Sequence, residues 1–443
     1  MSKVFRPYEP EQMMLMPVAL QEWLREDHLV YFISDVVEHM DLSEIMSRYE
    51  GEKRGYPPYH PKMMVKVLLY AYCVGIPSSR KIARRLEEDI AFRVLSANNT
   101  PDFRTISDFR KEHLSSLSGI FVQVLRLCQR AGLVKLGHVA LDGTKVKANA
   151  SKHRAMSYGR MKEEEVRLEK EVRELLQRAE QTDEEEDQRC GSDRRGDELP
   201  EELAYRQQRL ARIREAKEAL EEEARREAET ARLEGKSHNG TPREKAQRNF
   251  TDPESKVMPV SGGKDFVQAY NAQAAVDSKS QIVVSCHITN APQDKRQALP
   301  LIEQLKANLG GLPREVSADA GYYSEETVIA MSELGIEPLI TPQKTRHHAP
   351  LPAAPKGRIP RSLSVKDRMR RKLRTRRGRE RYKLRMETVE PVFGQIKQGR
   401  GFRQFLLRGM DKVSYEWQLI CTGHNLLKLF GSGNRAVLPR AVA

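Results

Sequence analysis

Two short apolar runs each deliver an aspartate to what reads as the end of a β-strand, and this pairing constrains the fold more than any bulk property of the chain. The first is His138-Val139-Ala140-Leu141-Asp142-Gly143, followed by the alternation Lys145-Val146-Lys147, which predicts a strand with a bend or bulge at the Asp-Gly pair. The second is Glu315-Val316-Ser317-Ala318-Asp319, where Gly321 breaks the strand and Ser324 is placed to cap a helix starting Glu325-Glu326. A carboxylate at the carboxyl end of a strand, beside a glycine turn, is a natural metal-ligand position. For a lone Asp-Ala-Gly the plainer reading is a turn cap, so its companions elsewhere in the chain decide.

The order of the remaining elements points to one architecture. Residues 266–277 and 281–289 read as two strands of a hairpin, with Asp277 at its turn, followed by a helix over 298–309, the strand ending at Asp319, a helix over 324–334 and a short strand over 337–341. Strand, hairpin, helix, strand, helix, strand predicts a mixed α/β sheet with helices on both faces. Interrupting it, residues 160–235 are almost all Glu, Arg, Lys, Gln, Ala and Leu. Leu203, Leu210, Ile213, Leu220 and Ala224 recur at roughly heptad spacing, and Gly191 to Pro200 separates two arms, so a charged antiparallel helical hairpin is inserted at about 160–248. Its acidic run Asp183 to Asp187 reads as solvated rather than as a metal site.

Ahead of this lies an all-α domain, residues 1–132, which opens with short amphipathic stretches and a turn at Gly55-Tyr56-Pro57-Pro58. Pro61 suits a first helical turn, and Met63, Met64, Val67, Leu68 and Ala71 recur at helix spacing up to the Gly75-Ile76-Pro77 break. A basic helix follows with Arg80, Lys81, Arg84 and Arg85, and residues 104–130 return to helix. The outline fits a DNA-binding helix-turn-helix and an ordinary helical hairpin equally well.

At 443 residues the chain holds two or three domains, and a net charge of +14 with a pI near 9.4 favours a polyanionic partner, nucleic acid before membrane. Much of the charge lies in 344–380, where fourteen lysines and arginines face only Asp367 and Glu380 with no core pattern. This segment, including Arg370, Arg371, Lys372, Arg374, Arg376 and Arg377, predicts a flexible contact with DNA phosphates. The five cysteines form no Cys-x-x-Cys pair, which argues against a zinc module or a disulfide framework, and no run of about 18 apolar residues occurs, so a reducing, cytoplasmic setting without a membrane is expected. A helix over 381–398 contains Pro391, an apolar helix spans 412–430, and 431–443 is a tail.

Asp142, Asp319 and Glu390 on that late helix make a candidate metal-binding triple. Phosphodiester chemistry must activate an attacking oxygen and stabilise a leaving one, and two divalent ions held by shared carboxylates accomplish both. Hard oxygen ligands select two Mg²⁺ or Mn²⁺ ions. Glu387 competes for the glutamate role, but the Val389-Glu390-Pro391-Val392-Phe393-Gly394 context favours Glu390. Asp252 and Glu254 are equally well explained as turn caps, His287 and His424 as packed core histidines, and Lys145 and Lys147 as phosphate contacts or solvated groups.

Five stretches, ALDGTKVKANASKHRAMSYGRM (140–161), NFTDPESKVM (249–258), YNAQAAVD (270–277), SADAGYYSEE (317–326) and VEPVFGQIKQGRGFRQFLLRG (389–409), resemble the DDE-type insertion-sequence transposases, most closely the group named after insertion sequence 1182. The resemblance spans about 60–430. It implies a ribonuclease H-like catalytic domain over 133–430, with Asp142 on its first strand, Asp319 on its fourth and Glu390 on the following helix. It also implies an N-terminal helical domain, and a Tyr, Arg, Glu, Lys signature that here becomes Tyr382, Arg385, Glu390 and Lys397. Arg385 and Glu390 have four residues between them where the usual pattern has three. The implied activity is cleavage of the element's terminal inverted repeats and joining of the exposed 3′-hydroxyls to target DNA, by a homodimer in a DNA synapse. A nuclease of the same fold and a noncatalytic DNA-binding descendant are the alternatives.

Overall fold

The computed structural model describes residues 19–49, 57–190, 201–233, 235, 237–259, 265–343, 353–360 and 362–433. Seven helices come first: α1 (Leu29–Glu38), α2 (Ser43–Met46), α3 (Pro61–Cys73), α4 (Ser79–Glu88), α5 (Ile90–Leu95), α6 (Phe103–Glu112) and α7 (Leu114–Arg130). There follow β1 (His138–Lys147), β2 (Ala155–Ser157), the long helices α8 (Tyr158–Cys190) and α9 (Glu201–Leu233), β3 (Gln247–Asn249), β4 (Lys256–Pro259), β5 (Phe266–Asp277) and β6 (Ile282–Thr289). The chain continues through α10 (Ala298–Leu309), β7 (Glu315–Ala318), α11 (Glu325–Glu333), β8 (Glu337–Ile340), α12 (Val365–Arg374), α13 (Arg376–Gly394) and α14 (Met410–Gly431).

Six strands form one mixed sheet in the order β4-β5-β1-β7-β8, with β6 also paired to β5. The expected hairpin of β5 and β6 is present, antiparallel, and Asp277 closes it by accepting from the backbone N–H groups of Lys279 (2.9 Å) and Leu136 (2.8 Å). β1 runs antiparallel to β5 and parallel to β7, and β7 is parallel to β8. The bend expected in β1 is absent: pairing continues unbroken from Val139↔Asp277 to Lys147↔Ala269, and the irregularity lies instead between Ala275 and Val276 in the β5–β6 pair. Gly143 serves close approach rather than a bulge, because a Cβ there would lie 2.4 Å from Gln273 Nε2 and 2.9 Å from Asp294 Oδ1.

The N-terminal helices and the sheet share one continuous apolar core. Most of α3 is buried, and α14 is the element that joins it to the sheet, through Trp417, Ile420, Leu426 and the buried amide of Asn425. Asn425 accepts from the Val283 N–H (2.9 Å) and donates to the Val283 carbonyl (2.9 Å), completing backbone pairing at the strand with a side chain. Arg400 fastens the same junction by donating to the carbonyls of Tyr72 (3.3 Å) and Ile420 (3.1 Å). His424, buried against the Gln281 carbonyl, is a core histidine whose burial pushes its pKa down to about 3. Asp252 and Glu254 act as structural acceptors. Asp252 takes the Tyr270 hydroxyl (2.7 Å) and the Gly409 N–H (3.2 Å), and Glu254 takes the Met410 N–H (2.6 Å) at the start of α14.

α8 and α9 pack along Met161, Leu168, Leu210, Ile213, Ala216 and Leu220, a cluster separate from the main core. Their cross-pairs Glu171–Arg206 (2.9 Å) and Glu165–Arg214 (3.1 Å) run in opposite sequence directions, so the helices are antiparallel. The expected break from Gly191 to Pro200 lies outside the described residues, as do Gly55 and Tyr56 of the first turn, Lys344, Arg346 and Arg361 of the basic segment, and most of the tail. The basic segment also contains structure where no core pattern was read. Val365, Met369 and Leu373 repeat every fourth residue along α12 and pack on the core, Met369 being buried, and Ser364 caps the helix through the Asp367 N–H (3.1 Å). Three apolar residues among six cations were enough to dock it.

Candidate active site

The register of the sheet brings the two aspartates together. Ala140 pairs with Ser317 in the parallel β1–β7 ladder, and Asp142 and Asp319 each lie two residues further on. Both therefore reach the same level of adjacent strands, roughly 5 Å apart along the backbone by ordinary strand spacing. Asp319 leaves the strand with its Oδ1 accepting from the Gly321 N–H (2.8 Å), and Ser324 then caps α11 through the Thr327 N–H (3.0 Å). The turn-cap role and the strand-end position are thus held by the same residue.

Helix α13 supplies the third carboxylate, and its placement follows from ionic anchoring. Glu315 and Glu337 face each other in the β7–β8 register, a like-charge pair that Arg381 neutralises by donating to Glu315 (2.7 Å) and Glu337 (3.0 Å). The Arg381 hydrogen bond, helped by Lys372, holds the Glu337 carboxyl down to about 2. One turn further along α13, Arg385 points at the site. Its Nη1 donates to Asp142 Oδ2 (3.0 Å), its Nη2 lies 3.8 Å from Glu390 Oε1, and its guanidinium sits 6.0 Å from the centre of the Tyr382 ring. Glu387, the competitor, pairs with Lys383 on the exposed face (3.1 Å). Pro391 cannot donate to the Glu387 carbonyl one turn back, and that freed acceptor is taken by Gln281 Nε2 (3.0 Å).

Beyond Gly394 the helix widens into a π-helical turn, Gln395–Gly399, so Lys397 does not continue the α-helical face of Glu390 as a seven-residue spacing predicts. Lys397 instead donates to Thr144 Oγ1 (2.8 Å) and the Lys145 carbonyl (2.9 Å). With Lys145, Lys147 and Arg403 it lines a cavity of about 410 Å³ that no carboxylate lines, a positive groove along β1.

Electrostatically the carboxylates crowd one another. Burial pushes the Asp142 carboxyl up to about 6; Arg385 opposes the shift, and Asp319 and Asp294 add to it. Asp294 is the residue that sequence reasoning missed. Successive strand residues face opposite sides of a sheet, so Gly143 looks away from Asp142, and there Asp294 Oδ1 accepts from Asn271 Nδ2 (2.6 Å) and Gln273 Nε2 (2.6 Å). Lys145 Nζ lies 3.8 Å from it, and Tyr322 donates its hydroxyl to Gln273. Asp294 Oδ2 would be 3.2 Å from a Cβ on Gly321. One carboxylate therefore sits against both glycines that follow the two aspartates, Gly143 within β1 and Gly321 beyond β7. The alternating amides Asn271 and Gln273 on a buried strand were the signal, since buried amides need partners.

Among the described residues no group of three or more His, Cys, Asp or Glu side chains is close enough to hold a metal ion. The donor chemistry fits hard cations, because Asp142, Asp319 and Glu390 offer only carboxylate oxygens. The Arg385 guanidinium lies between Asp142 and Glu390 and supplies the positive charge there. Of the remaining cations expected on DNA, Arg374, Arg376 and Arg377 are exposed, Arg376 pairing with Glu380 (3.1 Å). Arg370 pairs with Asp367, Arg371 donates to the Lys356 carbonyl (2.6 Å) and Lys372 to the Pro338 carbonyl (3.0 Å), so these three are engaged in holding α12.

Two family models match the chain. Residues 18–112 match the family described as Transposase domain (DUF772), and residues 235–426 match the Transposase DDE domain. The second match contains Asp294, Asp319, Arg385, Glu390 and Lys397, whereas Asp142 precedes it, separated by the α8–α9 insertion. No curated protein and no solved structure matches the chain. No helix among the described residues is long and apolar enough to cross a membrane.

Proposed function

On the support for a DDE transposase that these two matches give, we propose that the chain binds the terminal inverted repeats of an insertion sequence, of the group named after insertion sequence 1182. It cleaves them to 3′-hydroxyls and joins these to target DNA, acting as a homodimer in the DNA synapse. The observation that carries this reading is the level placement of Asp142 and Asp319 on adjacent parallel strands, with Glu390 brought to them through Arg385. A mixed sheet in which β1 lies between antiparallel β5 and parallel β7 supports the ribonuclease H-like reading of this domain.

Asp142, Asp319 and Glu390 would hold two Mg²⁺ or Mn²⁺ ions. Such ions activate the attacking oxygen and stabilise the leaving oxygen of an in-line displacement. In the first step water attacks the scissile phosphorus, and the bond to the 3′-oxygen breaks, leaving a 3′-hydroxyl and a 5′-phosphate. In the second that hydroxyl attacks a target phosphodiester and displaces its 3′-oxygen, so no covalent protein intermediate forms. Lys145, Lys147, Lys397 and Arg403 hold the strand's phosphates in the groove along β1. Arg385, between Asp142 and Glu390, neutralises both carboxylates and offers a guanidinium that would take a phosphate oxygen.

The test is a Mg²⁺-dependent assay on duplexes carrying the inverted repeats that flank the reading frame. End cleavage together with strand transfer from precleaved ends is expected. Cleavage without transfer from precleaved ends would identify a nuclease, and neither activity would identify a noncatalytic DNA-binding protein. Asp294→Ala is expected to lower cleavage by about 10- to 100-fold and to raise the half-saturating Mg²⁺ concentration, as loss of a group behind metal ligands does. An unchanged Mg²⁺ titration would remove that role.

A further inference from the structure

The base of the helical arm carries a cavity of about 320 Å³ whose lining includes His153, Arg154, Arg160, Tyr205, Arg209 and Arg212 and no carboxylate. Local structure gathers these cations. Arg154 is held where its carbonyl accepts from the Phe250 N–H (3.0 Å), and Asn249 Nδ2 donates to the Ser151 carbonyl (2.8 Å), pinning the 151–154 turn to β3. Arg160 lies in the first turn of α8. Tyr205, Arg209 and Arg212, at i, i+4 and i+7, share one face of α9, next to the face that buries Leu210 and Ile213.

On this arm Arg206 is matched by Glu202 (2.7 Å) and Glu171 (2.9 Å), and Arg214 by Glu165 (3.1 Å). The arginines around the cavity are not held in this way. Arg209 reaches only Glu164, at 3.8 Å, and Glu164 is held more closely by Arg167 (2.6 Å). Among the described residues no carboxylate forms an ion pair with Arg154, Arg160 or Arg212. Three guanidiniums with no ion-pair partner among the described residues, and a fourth that only shares Glu164 at 3.8 Å, line one cavity and repel one another, and their planar forks match phosphate oxygens.

We propose that this cavity is a second binding site for the phosphodiester backbone of duplex DNA, so that the inserted arm grips DNA away from the catalytic carboxylates. The inference rests on the reading that the chain acts on DNA, and it gives the insertion a role that neither matching family model covers. Arg154, Arg160, Arg209 and Arg212 take phosphate oxygens, and the exposed Tyr205 adds a hydroxyl donor beside them.

The full-length chain carrying Arg154→Gln, Arg160→Gln and Arg212→Gln together is to be titrated with a fluorescent duplex oligonucleotide across a salt series. Loss of three phosphate contacts should lower the slope of log affinity against log salt by about 2 to 3. Raising salt from about 50 to 200 mM would then cost the unaltered chain about 40-fold more affinity than the variant. Arg→Lys at the same positions should keep the slope, and an equal charge removal elsewhere on the arm, Arg173→Gln, Arg225→Gln and Arg232→Gln, should change it by less than 1. Normal duplex binding with an unchanged slope in the first variant, or an equal fall in the second, overturns the inference alone. Absence of duplex binding by the unaltered chain overturns the DNA reading and the inference with it.

Discussion

Asp142→Asn is expected to reduce end cleavage by about 10³-fold or more while leaving the folded chain more stable at neutral pH. On the proposed reading the catalytic loss follows from removing a charge that would hold a cation where negative charge develops. The gain in stability follows from the crowding of the site. Burial raises the Asp142 carboxyl to about 6 in the folded chain, above its unfolded value near 3.9. The folded state therefore binds this proton more tightly than the unfolded state. Stability contributed by this group falls as pH rises from about 4 through 6, and above 6 the ionised carboxylate is a standing cost. A shift of about two units corresponds to at most ~3 kcal/mol, and the 21% exposure of the side chain moderates it. Asparagine removes the charge and still accepts from Arg385 Nη1. Thermal melting at pH 7.5 and pH 3.5 checks the sign: the variant should gain at the higher pH and show no gain at the lower. A variant that melts lower at pH 7.5 would mean that Asp142 is held for structure.

Trp417→Ala is expected to cost about 3–5 kcal/mol. Trp417 is fully buried, its ring stacks on Phe393 at 6.5 Å, and its Nε1 donates to the Gln273 carbonyl (3.0 Å). Truncation opens a cavity between α13, α14 and β5 and strands that carbonyl. Gln273 also donates to Asp294 and accepts from Tyr322, so the damage reaches the supports of the active site. Urea unfolding is the measurement: the midpoint should fall with the slope unchanged, and Trp417→Phe should fall less. A loss below about 1 kcal/mol would show that the site collapses around the gap and that α14 is not the fastener described.

Much of this arrangement was legible in the residues because local rules governed it. β5, β6, α10, α11 and β7 lie within a residue or two of their predicted bounds, since each is a short periodic run between turn formers. α12 was not legible, because three apolar residues spaced by four were outnumbered by cations whose docking partners, Glu337 and the carbonyls of Lys356 and Pro338, lie elsewhere in the chain. The π-helical turn that redirects Lys397 was missed for a similar reason. Gly394 and Gly399 permit it, but the contact of Lys397 with Thr144 occupies it.

The sequence by itself determined that Asp319 stands at a strand end and that a mixed sheet carries both aspartates, because these depend on periodicity and turn chemistry; it placed Asp142 at a strand end as well, whereas β1 runs on to Lys147 and leaves Asp142 in mid-strand. Only the tertiary structure decided that Asp142 and Asp319 stand level, that Arg385 lies between Asp142 and Glu390, that Asp294 sits against Gly143 and Gly321, and that Arg154, Arg160, Arg209 and Arg212 line one cavity. Each of these joins residues far apart in the chain. Strand register, helix anchoring and the close approach of Asp294 to Gly143 and Gly321 bring such residues together, and a linear pattern contains none of those three.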